Sequence, residues 1–260
     1  MSRTATALRI LGLRLPWRAR LGLLAFALRR RLGAPGSTWH SPGGDLVFGE
    51  ATRETDWRVF AEIFLERDYE TDYRETAVVD LGAHKGYFGA YALLNGARAV
   101  LSYEPEEQNF ALLARNNESF RNRRASWQIE HAAVGAAERE AVLRVAGESW
   151  AHSLVPGDDE APETVQRARV LALSRVVDRA RGLGGSRLLL KLDVEGSECE
   201  IVLSSPLSVW DGVDEVFVET HAFAPCSADE LIARLRAAGL TPTASSSPLV
   251  LHLVRSSANA

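Results

Sequence analysis

Residues Val78–Tyr91 read VVDLGAHKGYFGAY. An apolar run ends in an acid, Asp80, two glycines follow, Gly82 and Gly86, and a helix-like run opens at Tyr87 and Phe88. A strand, a tight turn and a helix start in this order form the usual cradle for a nucleotide-like cofactor. The dinucleotide fingerprint G-x-G-x-x-G is not met, because the turn runs Gly82, Ala83, His84, Lys85, Gly86, with His84 where a second glycine would stand. A carboxylate at the end of this strand would repel a pyrophosphate and favour a cation. Glu104 ends the next apolar run, RAVLSYEP, 24 residues after Asp80, where an acid can accept both ribose hydroxyls of a nucleoside. Asp80, Gly82, Gly86 and Glu104 together suit S-adenosylmethionine, which carries a sulfonium and an ammonium and no phosphate. A nicotinamide-dependent reductase fails on the glycine pattern and on Asp80.

Outward from this motif, apolar strands alternate with helical runs. TAVVDLG, RAVLSYEP, ASWQIEHAAVG, SRLLLKLDVEG and VDEVFVETHA read as five strands, and GLTPTAS and PLVLHLVR as two more. YFGAYALLNGA and QNFALLARNNESF read as helices, and SADELIARLRAAG as a helix opened by Ser227 and stopped at Gly239. Upstream, a helix from Thr55 puts Trp57, Phe60, Ile63 and Phe64 on one face. Such alternation predicts a doubly wound α/β sheet covered on both sides. The stretch of about residues 138–176 holds short β-like runs and an acidic loop, Pro156 to Glu163, and reads as an inserted hairpin between the third and fourth strands.

The chain has 260 residues, 46% hydrophobic and 25% charged, as expected of a globular protein with one large core. A net charge of −4 and a pI near 5.9 argue against a dedicated nucleic-acid partner. Two cysteines, Cys199 and Cys226, do not make a disulfide framework, which predicts free thiols, a buried Cys199 and a reducing cytoplasm. No run of apolar residues is long enough to span a membrane.

Residues 1–44 differ from the rest: they contain no Asp or Glu, and arginines recur at Arg3, Arg9, Arg14, Arg18, Arg20 and Arg29–Arg31 among leucines. Three readings stand: a helical extension packed on the domain, a basic helix in peripheral contact with a membrane, and a targeting segment. GAPGSTWHSPGG, Gly33–Gly44, is a turn-rich linker that closes this arm.

KLDVEGSE, Lys191–Glu198, carries the candidate chemistry. Alternation along the fourth strand places Lys191 and Asp193 on one face, with Asp193 at the carboxyl end, Glu195 in the turn that Gly196 permits, and Glu198 in the first turn of a helix. Glu219, Thr220 and His221 end the neighbouring strand. Methyl transfer from a sulfonium needs in-line alignment of an acceptor and a base for its proton. Asp193 and His221, the latter as a neutral imidazole, are the candidate bases, with Lys191 as an electrostatic aid. A divalent cation held by Asp193, Glu195, Glu219 and His221 is a less favoured option, since the spacing matches no recognised metal pattern. Ala132, Ala133 and Val134 end the third strand, on the adenine side, and Asn109 on the second helix reaches toward the same place. The cofactor set is completed by Ala83, His84, Tyr87, Phe88 and Pro105, and Glu195, His152 and Ser153 are the candidates for the acceptor.

VVDLGAHKGYFGAYALLNGARAVLSYEPEEQNFALLARNNE, then AAVG, then LLLKLDVEGSECEIV resemble the FkbM-type S-adenosylmethionine-dependent methyltransferases over roughly Ala77 to Thr220. The resemblance implies a class I methyltransferase (Rossmann-like) fold, a seven-stranded sheet whose last strand is antiparallel, and O-methylation of a sugar, a saccharide or a hydroxylated natural product. The chain is read as a methyltransferase domain of residues 45–255, preceded by the arm and linker of 1–44 and followed by a frayed tail, 256–260; the arm and the tail lie outside the resemblance. A protein that kept the nucleoside pocket as a pathway scaffold, without transfer activity, is the alternative. The acceptor and the oligomeric state are not encoded in these motifs.

Overall fold

The computed structural model describes residues 3–13, 15–33, 37–120, 125–145 and 164–256. Two helices, α1 (Arg3–Leu11) and α2 (Trp17–Arg31), lead into a hairpin of β1 (Thr38–His40) and β2 (Asp45–Val47). The linker of the sequence reading is therefore partly strand, and it buries Trp39. Then comes α3 (Arg53–Ala61), which runs on as a π-helical turn, Glu62–Glu66. It buries Trp57, Phe60, Ile63 and Phe64, the apolar stripe read from the sequence.

The main sheet begins with β3 (Thr76–Leu81), buried at every position. After it come α4 (Tyr87–Leu94), β4 (Ala99–Tyr103), α5 (Glu107–Ser119) and β5 (Ser126–Glu130). The predicted third strand breaks after Glu130, and its tail forms β6 (Ala133–Gly135), which leaves the main sheet. There β6 pairs with β8 (Thr164–Ala172), which pairs antiparallel with β7 (Arg139–Val145). This is the expected hairpin insert, but it stops short of residue 176. Leu173–Arg181 is helix α6, with Leu173, Val176, Val177 and Ala180 buried on one face.

The chain closes with β9 (Arg187–Leu192), α7 (Glu198–Ser204), β10 (Glu215–Glu219), α8 (Ala228–Ala237), β11 (Leu240–Pro242) and β12 (Val250–Arg255). Ser227 and Glu230 cap α8 reciprocally, and Gly239 follows it with φ 83°. The seven strands lie in the order β11-β12-β10-β9-β3-β4-β5. Only β12 runs against its neighbours, so the class I topology is as expected.

Successive residues of the central strands point to opposite faces. Val78, Val100, Leu189 and Phe217 enter one apolar cluster, while Val79, Leu101, Leu190 and Val216 enter another. Helices α6, α7 and α8 contribute to the second cluster. The first takes in α3 and α4 and also the arm, through Ile10, Leu23 and Phe26. Phe26 meets Phe48 and Trp57 at ring separations of 4.6 and 5.8 Å. The arm thus shares the core of the domain.

Cys199, on α7, is bonded to Cys226, just before α8. The free-thiol expectation is wrong, because counting cysteines cannot show which distant residues the fold brings together. The ground for a reducing cytoplasm goes with it, since such bonds persist in oxidising surroundings. Among the described residues no helix is long and apolar enough to cross a membrane.

Leu23 has no exposed surface. Leu23→Ala should lower the unfolding free energy by about 2–5 kcal/mol, measured by urea denaturation. An unchanged midpoint would mean that the arm is not packed as described.

Candidate cofactor pocket and active site

The carboxyl ends of β3, β4, β9 and β10 open into a cavity of about 310 Å³, within the size range of small-molecule sites. This is where open α/β sheets bind ligands. Gly82 and His84 follow β3, Glu104 and Pro105 follow β4, and Asp193, Val194 and Glu195 follow β9. Glu219 and His221 come from the end of β10. Asn109 of α5 and Ala133 and Val134 of β6 close one side. The opposite wall is Arg58, Val59, Glu62 and Ile63, from α3 and its π turn, together with Asp68 and Tyr69.

The turns after β3 and β9 are held in tight conformations. A Cβ at Gly82 (φ 71°) would run into the backbone carbonyl of Asp193, so glycine lets the two loops touch. His84 and Glu195 adopt left-handed φ values of 52° and 51°. His84 thus stands in the conformation that glycine usually supplies. Strained non-glycine residues of this kind concentrate at functional sites.

Lys191 joins these two loops from below. Its Nζ donates to the Gly82 carbonyl at 2.8 Å and lies 3.2 Å from both Asp80 and Asp193. The strand register makes this contact, since Asp80 sits between Lys191 on β9 and Ser102 on β4. Burial works against the charge of Lys191, but Asp193 and Asp80 outweigh it and raise its pKa. Burial also raises the pKa of Asp80, and Lys191 opposes that shift.

Glu104 accepts the backbone N–H of His84 at 2.7 Å and that of Glu106 at 2.9 Å. Its pKa is pushed up to about 8, chiefly by burial, against the pull of those two donors. Glu219 is likewise pushed up to about 8, by burial and then by the charge of Asp193. Tyr69 donates its hydroxyl to Glu219 at 2.6 Å. His221 lies 3.3 Å from Glu195 through Nε2 and 3.1 Å from Glu198 through Nδ1. Burial alone would lower its pKa, but the two carboxylates raise it to about 11. His221 is therefore an imidazolium at neutral pH, and the neutral-base expectation fails.

Of the residues assigned to the cofactor, Gly82, His84, Glu104, Pro105, Asn109, Ala133, Val134 and Asp193 line the cavity. Asp80 does not; it is fully buried beneath the turn, paired to Lys191 and accepting from Ser102. Ala83, Gly86, Tyr87, Phe88 and Ala132 also lie behind the wall. Tyr87 donates to Asp56, and Phe88 packs edge-on to Tyr69. Lys191 supports the floor and does not line the cavity. Of the acceptor candidates, Glu195 lines it, while His152 and Ser153 fall outside the described residues.

The sequence reading missed Tyr69, Asp68 and the Arg58–Glu62 face. The last had a signal: Arg58, Val59 and Glu62 recur at helical spacing beside the apolar stripe, whose Ile63 also lines the cavity. Asp193, Glu219 and His221 bring one potential ligand atom each within 4.8 Å of one another. Both nitrogens of His221 already face carboxylates, so metal binding would require His221 to lose a proton and break an ion pair.

A profile of the methyltransferase FkbM domain matches residues 80–240, more than half of the chain. The chain belongs to that family. Among solved structures, the methyltransferase FkbM from Methylobacillus flagellatus KT is 14% identical with a TM-score of 0.45. That similarity covers 80% of this chain and 56% of the other, so this chain spans little more than half of that protein. Aeropyrum pernix fibrillarin, in complex with natively bound S-adenosyl-L-methionine, is 15% identical, with 76% of each chain covered and a TM-score of 0.42. The magnesium protoporphyrin IX methyltransferase (ChlM) from Synechocystis PCC 6803 with bound SAM is 10% identical, covering 91% of this chain and 93% of that one, with a TM-score of 0.39. No curated protein matches.

The perturbed groups set a pH dependence. Glu104 and Glu219 keep their protons to about pH 8 when folded and lose them near pH 4.5 when unfolded. His221 holds its proton to about pH 11 when folded and to 6.5 when unfolded. In every case the native state binds more protons, so stability falls as pH rises: from 4.5 to about 8 for the carboxyls, and from 6.5 to about 11 for His221. The melting temperature of the ligand-free protein should decline between about pH 5 and pH 8. Glu104→Gln, which mimics the protonated acid, should flatten that decline. A melting temperature that rises across the window would refute the burial of these carboxyls.

Proposed function

We propose that this chain is an S-adenosylmethionine-dependent methyltransferase that O-methylates a hydroxyl of a sugar, a saccharide or a hydroxylated natural product. The supporting observation is the carboxyl lining of the cavity. Six carboxyl groups line it, on Glu62, Asp68, Glu104, Asp193, Glu195 and Glu219, against the cations of Arg58 and His221. Such a wall, whose carboxyls can give up their protons to an arriving cation, favours a ligand with a sulfonium and an ammonium and disfavours a pyrophosphate. The donor set fits that cofactor. Glu104, at the end of β4, would accept from the ribose hydroxyls, and Pro105, Asn109, Ala133 and Val134 would flank the base. When bound, the cofactor supplies an electrophilic methyl group.

The protein's part is to position the acceptor and take its proton. Asp193 and Glu219 face the cavity together. Glu219, with a pKa of about 8, is matched to accept a proton near neutral pH. Asp193, held by Lys191 from below, orients the hydroxyl. This gives Glu219 the role that sequence reasoning had shared between Asp193 and His221. His221 instead fixes Glu195 and Glu198 as their counter-ion. A scaffold that only bound the nucleoside would have no use for the Asp193–Glu219 pair.

Calorimetry with S-adenosylmethionine, its demethylated product and NAD tests the cofactor. The first two should bind and NAD should not, and Glu104→Gln should weaken binding about 10-fold or more. Tighter binding of NAD would sink the assignment.

Turnover with labelled cofactor and a cell extract tests the chemistry. Glu219→Gln should lower it about 100-fold or more and abolish a rise in rate through about pH 8. Asp193→Asn should lower turnover while keeping that rise. If Asp193→Asn removes the rise and Glu219→Gln does not, Asp193 is the base.

A further inference from the structure

Helix α2 is apolar on two opposite faces. Ala19, Leu23, Phe26 and Ala27 are buried against the domain. On the other side Trp17, Leu21, Leu28 and, just past the end, Leu32 are 60, 51, 58 and 73% exposed. At 3.6 residues per turn, positions 17, 21, 28 and 32 make one continuous stripe. Leu8 and Leu11 of α1 are exposed as well, so six of the eleven large hydrophobic residues exposed among the described residues lie between positions 8 and 32. No such concentration follows from packing the core, because the inward face already does that.

The seams of the stripe are basic. The helical period puts Arg18 and Arg29 along one edge, and Arg20 and Arg31, which donate to the Leu11 carbonyl and the Thr6 hydroxyl of α1, along the other. The Arg18 guanidinium stands 5.3 Å from the centre of the Trp17 ring. No acid occurs anywhere in residues 1–44. An apolar stripe with tryptophan and leucine between arginine edges is the composition of a helix lying in a membrane interface. There the apolar side chains enter the acyl boundary and the guanidinium groups reach the headgroup phosphates. At fifteen residues, α2 is too short to span a bilayer.

We propose that the outward stripe of α2 docks this protein on an anionic membrane surface, with the helix parallel to the bilayer. Charge complementarity selects this occupant over a second copy of the chain, whose matching surface would carry the same arginines. Arg30 links the docking helix to α3 by pairing with Glu54 and stacking 4.8 Å from the Trp57 ring. Residues Arg58, Val59 and Glu62, from α3 and the turn that extends it, line the cavity. The docked surface is therefore one helix away from the candidate active site.

The test is co-sedimentation of the full chain with vesicles. Vesicles of phosphatidylcholine alone should bind it weakly. Vesicles that also contain phosphatidylglycerol should bind it well, and rising sodium chloride should release it. Leu21→Ser/Leu28→Ser removes apolar stripe and Arg18→Ser/Arg29→Ser removes charge. Each pair should weaken binding to the mixed vesicles about 10-fold or more, with melting temperature and cofactor affinity unchanged. Failure of the unaltered chain to bind mixed vesicles would overturn the proposal, as would equal binding by the leucine pair. Light scattering supplies the remaining outcome: a dimer that Leu21→Ser/Leu28→Ser dissolves, without vesicle binding, assigns the stripe to a second copy. The vesicle assay uses no cofactor, so its result stands apart from the proposed reaction.

Discussion

The site depends on one buried ammonium group. Lys191 Nζ holds the carbonyl of Gly82, the carboxylate of Asp80 and the carboxylate of Asp193 at once. Asp80 lies in β3 itself, Gly82 in the loop after it and Asp193 in the loop after β9, and the sheet places the two strands side by side. Two carboxylates facing each other without a cation would be costly in so little water. With Lys191 between them, the acids become fasteners. Gly82 lets the loops close onto each other, and His84 and Glu195 take up the backbone strain of the turns. The cavity floor is a consequence of that closure.

Above the floor, carboxyl groups are in surplus. Glu62, Asp68, Glu104, Glu195 and Glu219 all have pKa values raised mainly by burial. The same balance explains the change of role for His221. With a carboxylate facing each ring nitrogen its pKa is raised to about 11, and Glu219, raised to about 8, titrates nearer neutral pH.

How much of this was legible varies with distance along the chain. The strand, turn and helix at Val78–Tyr91 were plain, because apolar alternation and two glycines are local signals. So was Glu104, whose place at a strand end follows from the same pattern. The inward aim of Asp80 was not, since it depends on the register of β3 against β9, more than a hundred residues away. Tyr69 had no local mark, and its bond to Glu219 crosses 150 residues. The Cys199–Cys226 bond was hidden for the same reason, although its separation is only 27 residues. Helix α6 was readable, with apolar residues at Leu173, Val176, Val177 and Ala180, but its valines were absorbed into the β-like insert. The break after Glu130 had no signal, because Ala133–Gly135 is as apolar as a continuing strand would be.

The arm's place in the core has a consequence for synthesis. Leu23 and Phe26 emerge from the ribosome well before Leu189 and Phe217, which belong to the same cluster. At roughly 5–20 residues per second, the intervening stretch takes on the order of 10–40 seconds to make. Through that interval a helix apolar on both faces has only part of its final shelter, from α3 and the first strands.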